Sequence, residues 1–377
     1  MSRGSGIRVS AAGQRPGRCF SEKDPSADGV SIVSDVRIFT AVTPSGQRVE
    51  RMELTLAGGL PEQLPAADDF SMEGFSYNWM DPNLHGFSAR ISDVKADGQT
   101  LILFFKNFPE KFFFVDSFRV TCSRNPALSF TDAQVSQVIT PVADQFRHVD
   151  DDEHDFHYEI FRPADAGAPL PAVIVFHGFG DYDNLRTYRT AVEWAEPEQQ
   201  KKRPCYVIAP VIRDYLQEDV RDNVYDCLHA LLEKMCADGL VDRSRIYVAG
   251  NSFGGAASIE FSERFQGYPA AVLAMCPALN YVGRASDALD RLSGTPIWFA
   301  HAEHDATIPV WTSEDACRAL QEAGNPDAHI TVYDDSGMNA AGADPSPDSA
   351  VSYHHVEMAV MPDESYKEWL FSHKKER

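Results

Sequence analysis

No uncharged apolar run in this chain reaches the 18 or so residues that a spanning helix needs, so no membrane anchor is expected. Basic residues are scarce: 34 Lys and Arg stand against 56 Asp and Glu, a formal charge of -22. A surface of that sign repels phosphate backbones and anionic lipid, which argues against nucleic-acid and membrane partners. The opening "MSRGSGIRVSAAGQRPGRCF" lacks the apolar core of a secretory signal. Cysteine is sparse and unpatterned, with seven residues at 19, 122, 205, 227, 236, 276 and 317 and no C-x-x-C pair. An odd set scattered through apolar patterns fits buried free thiols, and the expected compartment is the cytoplasm.

What remains is an ordinary globular composition, 44% hydrophobic and 24% charged, in 377 residues, enough for two domains. Residues 1–28 are rich in Gly, Ser, Arg and Pro and are expected to be disordered. Residues 29–144 read as β: Met52, Leu54 and Leu56 alternate with Glu53 and Thr55, and Phe118, Val120 and Cys122 alternate with Arg119 and Thr121. The strand signal ends near Cys122. No amphipathic helix interrupts it, which predicts a small antiparallel β-sandwich. "FFKNFPEKFFF" reads as part of that sandwich core.

From residue 145 to 377 the rhythm changes. Apolar strands ("PAVIVF", "CYVIAP", "RIYVAG", "AAVLAM", "PIWFAH", "HITVYD") alternate with helical segments, which predicts a mostly parallel α/β sheet covered on both faces. The clearest helix places Val224, Cys227, Leu228, Leu231, Leu232 and Met235 on one stripe, with Gly239 where it ends.

"VAGNSFGG", residues 248–255, sets Ser252 between that third strand and the helical "FGGAASIEFSERF". G-x-S-x-G alone occurs by chance in roughly one chain in ten of this size. Strand before and helix after make it a nucleophile elbow, with Gly250 and Gly254 permitting close approach. The amide of Phe253 would face a developing oxyanion, and that of Phe179, in "HGFGD", would be the second donor. His177 is read as structural. An acid and a base should follow the serine in that order. Asp305 stands at the end of "PIWFAHAEHD", with Glu303, Asp334 and Asp335 as alternatives, and His354 and His355 compete for one role as base.

"PAVIVFHGFGD", "VDRSRIYVAGNSFGG", "IWFAHAEHDATIP" and "YKEWLF" together resemble α/β-hydrolase-fold esterases of the polyhydroxybutyrate depolymerase and feruloyl esterase group, over residues 145–374. That resemblance selects Asp305, which precedes a short x-x-P segment, and His354, which lies about fifteen residues before the final Trp-Leu. Members often carry Gly before the base and Trp three residues after it, where this chain has Tyr353 and Glu357. The N-terminal β region resembles the immunoglobulin-like domain that some of these carboxylesterases carry.

The expected function is therefore a serine carboxylic-ester hydrolase acting on a small-molecule ester through Ser252, Asp305 and His354, with no metal or cofactor. Homo-oligomerisation through the N-terminal domain is an open expectation. The rivals are a serine peptidase on the same fold and a non-catalytic binding protein on a hydrolase scaffold. "RHVDDDEHDFH", residues 147–157, has no zinc-type spacing and reads as a solvated acidic turn.

Overall fold

A computed structural model describes residues 31–77, 83–164, 167, 169–180, 189–281, 289–346, 349 and 351–376. Segment 1–28, expected to be disordered, lies outside these, as does Cys19. The chain divides into two compact units. One holds the described residues up to Ala41 with Gln47–Ile139, and the other holds Val42–Gly46 with Thr140 onward.

The first unit is built of β1 (Val33–Thr43), β2 (Gly46–Leu56), β3 (Phe70–Ser76), β4 (His85–Ala89), β5 (Ile91–Asp97), β6 (Thr100–Phe105), β7 (Val115–Cys122), β8 (Phe130–Thr131) and β9 (Val135–Ile139). They form sheets of order β5-β6-β2-β1-β9 and β4-β3-β7-β8. The alternation works as period-2 patterning requires: Met52, Leu54, Phe118 and Val120 are buried in one apolar core, while Glu50, Thr55 and Thr121 face outward. Two features depart from the sequence reading. Strands continue past Cys122, because β8 is only two residues long and β9 is largely exposed, so neither carries the alternation. The pairing of β1 with β9 is parallel, with Ile38 opposite Val138. Of the phenylalanine run, Phe105 and Phe108 are core residues, whereas Phe113 is exposed.

The second unit is organised by β10 (Arg147–Asp151), β11 (Phe156–Phe161), β12 (Leu170–Phe176), β13 (Tyr206–Pro210), β14 (Val241–Asn251), β15 (Ala271–Met275), β16 (Ile297–Ala302) and β17 (Ala328–Tyr333). Their order in the sheet is β10-β11-β13-β12-β14-β15-β16-β17. From β13 to β17 neighbouring strands are parallel, and β10 and β11 join antiparallel at one edge. Both faces are covered. Val173, Val175, Tyr247 and Ala249 pack with Trp194 and Tyr366 on one side, and Ile174, Phe176, Ile246 and Val248 pack with Leu228, Leu232 and Phe261 on the other. That two-sided burial is why these strands read as continuous apolar runs.

The helix Glu218–Ala237 buries Val224, Leu228, Leu232 and Met235, and leaves Cys227 and Leu231 partly buried. It ends in a Schellman motif: Gly239, at φ 72°, donates to Cys236 O at 3.0 Å and Leu240 donates to Met235 O at 2.9 Å. The acidic stretch 147–157 is only partly a turn, since β10 pairs with β11 across it. The six described cysteines are unpaired. No helix among the described residues is long and apolar enough to cross a membrane.

Candidate active site

Strand order reverses at β12, between β13 and β14, and in open α/β sheets the crevice at that reversal, beyond the carboxyl ends of the strands, receives ligands. Ser252 sits there. It follows β14 at φ 56° and ψ -122°, a strained backbone for a non-glycine residue, and the helix Phe253–Arg264 starts immediately after it. The turn is fixed by its backbone: Ser252 N donates to Met275 O at 2.9 Å, and Ser252 O accepts from Ala278 N at 3.0 Å. A Cβ on Gly250 would lie 2.3 Å from Gly254 O, and one on Gly254 would lie 2.1 Å from Phe176 O, so this crossing excludes any side chain at either position.

His354 brings Nε2 to 3.0 Å from Ser252 Oγ, and its Nδ1 to 2.7 Å from Asp305 Oδ2. Asp305 lies on the loop after β16, and its other oxygen, Oδ1, accepts from the amides of Thr307 at 2.8 Å and Ile308 at 3.0 Å. Burial alone would raise the pKa of this carboxyl. The hydrogen bonds from His301 and His354, with the backbone donors, outweigh burial and hold it well below the usual carboxylate range. The alternative acids are engaged elsewhere: Asp334 caps the helix Asp335–Ala340, Asp335 pairs with His304, and Glu303 is exposed. His355 brings Nδ1 to 2.9 Å from Glu357 Oε1.

The "HGFG" turn leaves β12 with His177 buried at its base. Its Nε2 accepts from Ile212 N at 2.9 Å, which leaves Nδ1–H to donate to Gly178 O at 2.6 Å. Burial, offset only in part by the bond to Gly178, lowers the His177 pKa to about 4, so the ring is a neutral strut. The rings of Phe179 and Phe253, the latter next to Ser252 in the chain, meet at 5.4 Å. The ring of Phe253 also meets the buried Tyr215 at 5.4 Å and the exposed Tyr281 at 5.9 Å.

The motif reading missed three groups. Cys276, at positive φ, donates its thiol to His354 O at 3.2 Å, and burial pushes that thiol up, so it stays protonated. Tyr215 donates to His177 O at 2.6 Å, and His301 closes β16 beside Asp305. The last had a signal, a single imidazole inside the apolar "IWFAHA". Ligand atoms of Cys276, Asp305 and His354 lie within 4.8 Å of one another, but the His354–Asp305 bond and the protonated thiol already occupy them.

Residues 198–358 match the model of the dienelactone hydrolase family. No curated protein matches the chain. Among solved structures, a thermostable esterase is similar at 21% identity and a TM-score of 0.71, covering 91% of this chain and 100% of that one. A ferulic acid esterase is similar at 14% identity and a TM-score of 0.44, over 60% of this chain and 98% of its own. An acylaminoacyl peptidase from Pyrococcus horikoshii is similar at 13% identity and a TM-score of 0.43, over 62% of this chain and 43% of its own. These last two scores are too low to carry argument. With the sheet order and the elbow, the first likeness identifies the architecture: an α/β-hydrolase fold preceded by N-terminal β-sheets.

Proposed function

We propose that the chain is a serine carboxylic-ester hydrolase working through an acyl-enzyme. The observation that carries this reading is the relay Ser252 Oγ, His354 Nε2, His354 Nδ1, Asp305 Oδ2, at 3.0 and 2.7 Å. Ser252 Oγ attacks the ester carbonyl as His354 Nε2 takes its proton. The amides of Phe179 and Phe253 bind the oxyanion; the latter opens a helix, where the first turn lacks intrahelical acceptors. Collapse of the tetrahedral adduct expels the alcohol, which receives the proton from His354. Water, deprotonated by the same nitrogen, then releases the acid and frees Ser252. Asp305 fixes the tautomer of His354 and stabilises its cationic form without itself becoming protonated.

In this reading every catalytic group lies within residues 145–377, residues 29–144 form an immunoglobulin-like sandwich, and the partner is a small ester. The test is Ser252→Ala in the full-length chain. Turnover of p-nitrophenyl acetate should fall by orders of magnitude, and labelling by a fluorophosphonate should vanish. Retention of more than about a tenth of wild-type kcat would remove Ser252 from the role of nucleophile. Faster cleavage of aminoacyl p-nitroanilides than of esters would move the assignment to a peptidase.

A further inference from the structure

His301 is the last polar residue one expects in β16, a strand otherwise committed to the core, and its side chain has no solvent exposure. A ring so placed is tolerable only if both nitrogens are satisfied. They are. Nδ1 lies 2.8 Å from Ser313 Oγ, while Nε2 lies 3.0 Å from Ile308 O and 3.3 Å from Asp305 Oδ2. The chemistry of the partners sets the proton positions. A carbonyl and a carboxylate only accept, so Nε2 carries the hydrogen and shares it between them. In the neutral ring Nδ1 is then the acceptor, and the Ser313 hydroxyl, itself buried in the first turn of the helix Trp311–Glu322, donates to it.

Resting on the esterase reading of this site, we propose that His301 is a positioning residue for the reaction: it fixes the loop of Asp305 and shares the oxygen on which His354 turns. Asp305 Oδ2 is the acceptor of both imidazoles, at 2.7 Å from His354 and 3.3 Å from His301. The second donor sets the plane of the carboxylate. The same N–H ties Ile308 O back to the strand, closing the loop that carries the two amides on Oδ1. Such support is what lets an acid orient a base without searching for it during turnover.

Two consequences separate this role from mere packing. Without the His301 donor, the charge of Oδ2 is shared with one imidazole instead of two. The imidazolium of His354 is then stabilised more, and the acid limb of kcat/KM moves to higher pH. The other titratable groups here are Cys276, whose thiol is bonded to His354 O, and Glu357, whose charge reaches Cys276 and which pairs with His355; substitution at 301 leaves both in place. The second consequence is geometric. A glutamine amide reaches the place of Nε2, whereas an asparagine amide reaches only that of Nδ1.

The experiment compares His301→Gln, His301→Asn and Ser313→Ala with wild type and Ser252→Ala in the full-length chain, measuring kcat, KM, the pH profile and thermal unfolding. His301→Gln should stay within about threefold of wild type. His301→Asn should lose on the order of tenfold in kcat with KM nearly unchanged, and its acid limb should move to higher pH. Should the Asn variant fail to fold, Ser313→Ala carries the test: the ring keeps its Nε2 hydrogen but loses the bond that orients it, so kcat falls by a smaller factor while the acid limb stays in place. Equal kinetics of the Gln and Asn variants, or wild-type kcat in Ser313→Ala, overturn the proposal. An active Ser252→Ala would instead sink the esterase reading beneath it.

Discussion

The Cα of Gly254 faces the Phe176 carbonyl so closely that a Cβ there would lie 2.1 Å from the oxygen. The end of β12 and the start of the elbow helix are therefore locked in backbone contact, and the Ser252 turn inherits its position from that contact. Gly254→Ala should force the two apart, costing about 1–3 kcal/mol or more of stability and most of the activity. Gly294→Ala is the control: nothing lies within 4 Å of its Cβ position, so its stability should stay within about 0.5 kcal/mol of wild type. Urea unfolding of both variants decides the matter, and an equal cost at the two positions would refute the argument.

Two adjacent histidines face different carboxylates, which separates their roles. His354→Ala should resemble Ser252→Ala, because serine and base act as one unit. His355→Ala removes a pair with Glu357 and should be much milder. Steady-state kcat on one ester measures both, and the reverse ranking would reassign the base.

His177 gives the fold a pH dependence of definite sign. Its folded pKa, about 4, lies below the ordinary value of 6.5, so between these values the unfolded state binds the extra proton. Its contribution is therefore complete above pH 6.5 and is lost as pH falls toward 4, about 3 kcal/mol across that window. Protonation also removes the His177 acceptor of Ile212 N, so the HGFG turn should loosen with it. Unfolding free energies at pH 7, 5.5 and 4.5 should fall more steeply in wild type than in His177→Gln. Parallel curves would show that the proton goes elsewhere.

Phe179 offers an aromatic ring, about half exposed, beside an amide that any residue supplies. Phe179→Ala should therefore spare kcat while raising KM several-fold for aryl esters, in line with the loss of one aromatic contact. KM for a methyl ester of acetate should scarcely change. A collapse of kcat on both substrates would instead mean that the ring shapes the oxyanion turn.

The elbow was legible in the sequence because each of its requirements leaves a mark: an apolar strand, two glycines about the serine, and a following helical segment with no proline. The helix ending at Gly239 was legible for the same reason. The choice of His354 over His355 came only from the family resemblance, since adjacent residues share every periodic signal and the path of the loop decides which ring meets Asp305. His301 escaped because one imidazole in an apolar strand looks the same whether it fills space or holds an acid. Strands β8 and β9 escaped because one is too short and the other too exposed to alternate.

Behind the site, Arg221 and Glu260 form a buried two-point ion pair, Nε to Oε2 at 2.8 Å and Nη2 to Oε1 at 3.1 Å. Arg221 also donates to Tyr215 O, and Tyr225 donates to Glu260 at 2.9 Å. Glu260 rides on the elbow helix, and Tyr215 holds the HGFG turn through His177 O, so the pair links the two segments. Removing one partner breaks a buried, hydrogen-bonded pair. Glu260→Leu should cost about 3–5 kcal/mol, because the Arg221 guanidinium then loses two carboxylate bonds in the core. Removing both leaves no stranded ion, so Arg221→Leu with Glu260→Leu should be more stable than Glu260→Leu alone. The double variant should still be slower than wild type, since the Arg221 bond to Tyr215 O is gone and the turn that carries Phe179 is held less firmly. Urea unfolding of both singles and the double closes the cycle, and kcat of the double reads the loop. Additive losses would mean that water screens the pair, and a fully active double variant would mean that the pair stabilises the fold without steadying the site.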